Sequence, residues 1–289
     1  MKYQALFIFL LISRFCGAQS NSSFQYTSEN LFDPSADVIL VAAHRGMHIN
    51  FPENSLKSIE DAILHNIDIV EVDVRLTKDG IPILIHDKKV DRTTTGSGKV
   101  KDLTYQEICE FSLLDSAGMP TEFQVPSLAE ALDFGKNQVV FDIDLKVKSR
   151  HIKKVAQVIE ECEAVNSVFF YDSRYAVMRK IAKYLPSAMR MTKVNPNRRA
   201  IKRAMVSVNP DIVHLGNSES QRESSFIEKM QGKYRKPVFA NALGKLDKAL
   251  EVSPDTLNYF INKRINIIQT DKPDVVLEYL IANGRHIKI

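Results

Sequence analysis

Residues 41–87 read VAAHRGMHINFPENSLKSIEDAILHNIDIVEVDVRLTKDGIPILIHD, and the fold is decided by how apolar runs and charged residues alternate within them. The run from Val38 to Ala43 is continuously apolar, the pattern of a strand buried on both faces. Asn54 to His65 then carries Leu56, Ile59, Ala62 and Ile63 at the helical period. Ile67 to Val74 predicts a second strand, Lys78-Asp79-Gly80 a turn, and Ile81 to Ile85 a third strand. His44-Arg45, Glu71, Asp73 and His86-Asp87 all lie at or near the ends of these runs.

Downstream the alternation continues. A polar, Thr/Gly-rich excursion occupies about 88–124, with a capping box from Thr104 to Glu107 starting a short helix. Strands are predicted at Gln138–Leu145, Val168–Tyr171, Ala188–Thr192, Ile212–Leu215, Pro237–Ala240 and Ile267–Thr270, with helical patterns between them. This pacing implies a parallel sheet covered by helices, and the length suits a (β/α)8 TIM barrel of ~250 residues. Nine strand-like runs are one more than a barrel needs. Asp79-Gly80 is too short for a crossover helix, so either a hairpin sits there or a weak strand such as Ala188–Thr192 is absent. A doubly wound open sheet is the alternative, but no Gly-x-Gly-x-x-Gly follows the first strand. The expected architecture is an α/β, distorted barrel over 37–289, with a small insertion after the third strand.

Upstream, Lys2, the apolar run Ala5–Ile12 and the small residues Cys16-Gly17-Ala18 have the parts of a cleaved signal peptide over 1–18. A polar leader over 19–36 follows. The expected location is secreted or periplasmic; Arg14 and Phe15 disfavour a lipid anchor on Cys16. No run is long enough to span a bilayer. The net charge of +4 is scattered, with no basic–aromatic segment, so nucleic acid is not an expected partner. No protein partner is evident. Cys109 and Cys162 lack zinc-site spacing, and sequence alone leaves a disulfide between them open.

In a barrel, the C-terminal ends of the strands face the active site. Glu71 and Asp73 share a face of one strand, and Asp142, Asp144 and Lys146 repeat the pattern on another. Charges on a strand that ought to be buried are costly unless paired or metal-bound. An all-carboxylate set suits a hard divalent cation, Ca2+ or Mg2+. The competing account is a salt-bridge lattice in which Arg75 and Lys146 balance the acids. His44 and His86 can serve as acid and base near neutrality, and Arg45 and Lys146 suit a phosphate. A glycosidase would also use paired acids, but from separate positions and without essential histidines.

Together these residues resemble the glycerophosphodiester phosphodiesterase family. The matching pieces are His44-Arg45-Gly46, Pro52-Glu53-Asn54-Ser55, Glu71-Val72-Asp73-Val74, Thr77-Lys78-Asp79-Gly80, His86-Asp87, Asp91-Arg92-Thr93-Thr94 with Gly96 and Gly98, Asp144-Leu145-Lys146 and Thr270-Asp271-Lys272-Pro273. The resemblance implies a distorted barrel and hydrolysis of a small phosphodiester to a glycerol phosphate and an alcohol. It implies metal ligation by Glu71, Asp73 and Asp144, catalysis by His44 and His86, and phosphate contacts from Arg45 and Lys146. The family's usual glutamate is Asp144 here, and Asp142 could share its role. The chain has no Trp, so the substrate wall on the late strand differs, and Asn241 is a candidate contact there. A phosphodiester-binding protein with little catalysis, or a sibling enzyme acting on phosphoinositides, are the alternatives.

Overall fold

The computed structural model describes residues 22–216, 222–250 and 252–287. The expected signal peptide lies outside the described residues.

The apolar run at 38–43 forms β1 (Leu40–Ala43), and the next strands are β2 (Ile69–Leu76) and β3 (Pro82–Leu84). β4 (Ser112–Leu114) and β5 (Pro120–Gln124) form a separate hairpin. Then come β6 (Val140–Leu145), β7 (Val168–Tyr171), β8 (Met189–Val194), β9 (Ile212–Leu215), β10 (Val238–Asn241) and β11 (Ile267–Thr270). β1, β2 and β6 through β11 are parallel in that order. β1 pairs with both β11 and β2, so these eight strands close into a barrel. The surplus ninth run is β3, which pairs antiparallel with the end of β2, Val74 opposite Leu84. Gly80, at φ +87°, makes the connecting turn. The hairpin is therefore real, and β8 at the doubted Ala188–Thr192 run is a full barrel strand.

Helices separate the strands. α1 (Ser22–Asn30) precedes β1; α2 (Leu56–Leu64) joins β1 to β2; α3 (Tyr105–Cys109) lies in the insertion and α4 (Leu128–Gly135) before β6. α5 (Ile152–Glu161), α6 (Tyr175–Tyr184), α7 (Arg198–Ser207), α8 (Arg222–Glu228), α9 (Lys245–Leu250), α10 (Asn258–Asn262) and α11 (Pro273–Ala282) complete the ring. Ser55, Thr104 and Ser127 each begin a helix with a reciprocal capping box, which satisfies free backbone donors of the first turn.

Side chains alternate across each strand. The outward set, including Val41, Val70, Val72, Phe141 and Ile143, packs beneath the helices. The inward set starts apolar: Leu40, Ile69, Val140, Phe169, Met191, Ile212, Phe239 and Ile267 form an inner core. Leu31, just after α1, joins that core with Phe24 and Tyr26, so the polar leader carries a helix that seals the N-terminal end. Thr27 and His286 hydrogen-bond buried Asp68 there. Two residues further along, several inward columns turn polar: Glu71 above Ile69, Asp142 above Val140, Lys193 above Met191, His214 above Ile212. Val90, Val100, Ile108 and Leu113 of the excursion pack against Ile83 of β3 in a separate small core. Cys109 and Cys162 are both free thiols.

Candidate active site

At the end of β1, His44 donates its backbone N–H to Thr270, and Arg45 and Gly46 turn left-handed at φ +56° and +79°. A Cβ on Gly46 would collide with Ser58, so the turn requires glycine. The turn aims the Arg45 backbone N–H at Glu71 Oε2, 2.9 Å away. Asn54, also left-handed at φ +56°, clamps Asp73 from both sides. Its Nδ2 donates to the Asp73 carboxylate at 3.1 Å, and its Oδ1 accepts the Asp73 backbone N–H at 2.9 Å.

β2 and β6 pair with Glu71 opposite Asp142 and Asp73 opposite Asp144. This register concentrates four acids. Oxygens of Glu71, Asp73 and Asp144 lie within 4.8 Å of one another; Asp142 stands outside that group. Burial, with the neighbouring carboxylates adding to it, pushes Glu71 and Asp142 well above the usual carboxylate range. Burial also raises Asp144 to about 6, against the opposing pull of Lys146. The Lys146 ammonium lies 2.6 Å from Asp144 and 3.2 Å from Asp73. Arg75 does not complete a salt-bridge lattice: it braces the backbone carbonyls of His86 and Lys146. The acids are thus under-neutralised, and among the described residues buried Asp142 Oδ1 finds no donor. Three adjacent, hard oxygen donors with surplus negative charge fit a divalent cation.

Each histidine is oriented by a carboxylate. His44 Nδ1 is 2.7 Å from Asp271 Oδ1, and His86 Nδ1 is 2.7 Å from Asp87 Oδ1. Burial opposes ionisation of Asp271, but the His44 hydrogen bond and nearby cations outweigh it and hold that carboxyl below the usual range. Arg92 is the main reason that Asp87 lies well below it. Arg92 also grips Glu53 at 2.7 and 2.8 Å; Glu53 holds Arg45 at 3.0 Å, and Arg45 reaches Asp73 at 3.3 Å. A continuous charged chain therefore joins His86 to the carboxylate cluster.

These groups open on a cavity of about 520 Å³ lined by His44, His86, Glu71, Asp73, Asp144 and Lys146, with Asn241 on the far wall. Arg45 lies behind the acids, and the cavity's other cations are Arg75, Lys88, Arg174 and Lys193. His214, which belongs to none of the sequence motifs, stacks between Tyr171 and Phe239 at 5.1 and 5.3 Å and contacts Asn241 Oδ1 at 3.2 Å. Burial pushes it down to about 4, so it is neutral. Asn54, Asp87, Glu53, Arg92 and Asp271 were visible as motif members without individual roles. Only their spatial partners reveal what they do.

Fold and site define a class: a TIM barrel whose C-terminal mouth gathers a carboxylate cluster, two histidine–aspartate pairs and a lysine. The chain belongs to the glycerophosphoryl diester phosphodiesterase family, whose model matches residues 44–275. A glycerophosphodiester phosphodiesterase of Bacillus altitudinis is 32% identical over 162 residues, 52% of this chain and 65% of that protein. Human glycerophosphodiester phosphodiesterase 1 is 39% identical over 99 residues, 33% of this chain and 30% of the relative. The chain thus spans less than two thirds of the length of these relatives. Among solved structures, a glycerophosphoryl diester phosphodiesterase from Parabacteroides distasonis superposes with a TM-score of 0.78 at 24% identity, covering 93% of this chain and 95% of that one. An Oleispira antarctica phosphodiesterase, solved in complex with the product sn-glycerol-3-phosphate, gives 0.68 at 21% identity over 84% and 97%. Among the described residues, no helix is long and apolar enough to cross a membrane.

Proposed function

We propose that this chain hydrolyses glycerophosphodiesters to a glycerol phosphate and an alcohol, with Glu71, Asp73 and Asp144 holding a divalent cation and His44 and His86 moving the protons. The observation that carries this reading is two histidines, each tied through Nδ1 to an aspartate, around one cavity that also contains the carboxylate cluster. With Nδ1–H donated to a carboxylate, Nε2 is the working nitrogen. One histidine takes the proton of the attacking hydroxyl, from water or a neighbouring glycerol hydroxyl. The other delivers a proton to the departing alkoxide. Such positioned transfers contribute roughly 10²–10⁴-fold, and Asp87 and Asp271 stabilise whichever imidazole becomes charged. Lys146 supplies positive charge to the phosphate oxygens. Arg45 reaches them by exchanging its Asp73 partner, since a guanidinium has donors to spare. A bound Ca2+ or Mg2+ would supply Lewis-acid stabilisation of the phosphoryl oxygens. Asn241 and His214 form a polar wall against the alcohol.

The test is glycerol-phosphate release by the chain from Gln19 onward, with and without EDTA, beside His44→Ala and His86→Ala. Loss of activity in EDTA with recovery in Ca2+ or Mg2+, and loss in either variant, is the expected result. Full activity after metal removal would overturn the role given to the carboxylates, and binding without turnover of any phosphodiester would favour a binding module. We also propose export directed by residues 1–18; a mature N-terminus at Met1 in exporting cells would refute it.

A further inference from the structure

Beside the active-site cavity lies a second one of about 650 Å³, and Ser173, Arg174 and Lys193 line both. It lies along α6 and α7. Arg199, Arg203 and Ser207 recur every four residues on α7, and Tyr175 and Arg179 do so on α6, so each set shares one helix face. Among the described residues no carboxylate lines it, and neither helix contains an acid. Arg174 is neutralised by Asp172, but among the described residues Arg179, Arg199 and Arg203 have no ion-pair partner. The Arg203 guanidinium lies over the Tyr175 ring, 5.3 Å from its centre. That stacking leaves the planar fork free to bond an anion bidentately.

Like charges gathered on one groove repel each other and raise its positive potential unless an anion arrives from outside. We infer that this groove is a second phosphate subsite, and that the preferred substrates are glycerophosphodiesters whose alcohol itself bears a phosphate monoester. The inference rests on the phosphodiesterase reading above. With the diester in the histidine cavity and the glycerol of a simple glycerophosphodiester uncharged, the second phosphate is assigned to the alcohol. Lys193 and Arg174 line both cavities, so the two positions adjoin.

Two matched pairs test this: glycerophosphoglycerol against its terminally phosphorylated form, and glycerophosphoinositol against its inositol-phosphorylated form. The wild-type chain is expected to favour the phosphorylated member in kcat/KM by roughly tenfold or more, the scale of one charge-assisted hydrogen bond. The Arg199→Ala/Arg203→Ala double variant should erase the preference while keeping its rate on the unphosphorylated members. A preference within one pair only supports the subsite and identifies the alcohol. Equal rates within both pairs for the wild type, or a preference that survives the double variant, would overturn it. If none of the four compounds is cleaved, the phosphodiesterase reading fails separately. Calorimetric binding of the same compounds then decides the subsite: weaker binding of the phosphorylated forms by the double variant supports it, and equal binding refutes it.

Discussion

Asn54→Ala removes the clamp on Asp73, and its cost can be worked from three local losses. The amide donates to the Asp73 carboxylate at 3.1 Å and accepts the Asp73 backbone N–H at 2.9 Å, and both groups are buried. A hydrogen bond to a charged group contributes roughly 1.5–3 kcal/mol, and stranding a buried N–H costs about 1–3 kcal/mol. Asp73 keeps Arg45 and Lys146, so the lower half of the first range applies. Placing alanine at φ +56° adds about 1 kcal/mol. The expected destabilisation is about 4–6 kcal/mol, read as a lower denaturant midpoint at unchanged slope. Asn54→Gly is relieved of the backbone strain and should be milder by about 1 kcal/mol. Because the clamp orients a proposed cation ligand, divalent-cation affinity should also fall roughly 10–100-fold in either variant. A loss under about 1 kcal/mol for Asn54→Ala, or equal losses for alanine and glycine, would refute this account.

Other predictions follow from the same charges. Divalent cation at a hundredfold excess over its Kd should stabilise the fold by about 2.7 kcal/mol, measured by thermal denaturation. Asp73→Asn should abolish that gain. Lys146→Met removes the ammonium beside Asp144 and Asp73; without added cation it should lower stability, and in the steady-state assay it should raise KM for phosphodiester. His286 is raised above its ordinary 6.5: burial opposes the charge, but the Asp68 hydrogen bond and carboxylate outweigh it. A raised folded value means that its stabilising contribution is complete below about pH 6.5 and lost as pH rises through the folded value. His286→Gln should flatten that part of the stability–pH curve, and an unchanged slope would contradict the assignment.

Local patterns carry much of this protein. The apolar run ending at His44, the two-residue spacing of Glu71/Asp73 and Asp142/Asp144, and the capping boxes at Thr104 and Ser127 are short-range features. Sequence periodicity reports them because strand alternation and first-turn hydrogen bonds involve neighbours in the chain. The same patterns predicted the barrel and pointed to the histidines and carboxylates of its cavity, but not to the wall built by Tyr171, Arg174, Lys193 and His214. They left the ninth strand ambiguous, because only pairing distinguishes the β2–β3 hairpin from a missing barrel strand.

The tertiary structure alone decided which groups meet. His44 and its partner Asp271 are 227 residues apart, and Arg92 bridges to Glu53 across 39. Barrel closure between β1 and β11 creates the first contact, and no local propensity encodes it. The β2–β6 register likewise sets Asp142 opposite Glu71 and Asp144 opposite Asp73, and the side-chain oxygens of Asp144, not those of Asp142, complete the three-residue group with Glu71 and Asp73. It also required buried carboxylates to share one small volume, since strand pairing and core packing leave those side chains no other direction. Sequence therefore determined which residues could carry charge into the barrel's mouth, and long-range closure determined their partners.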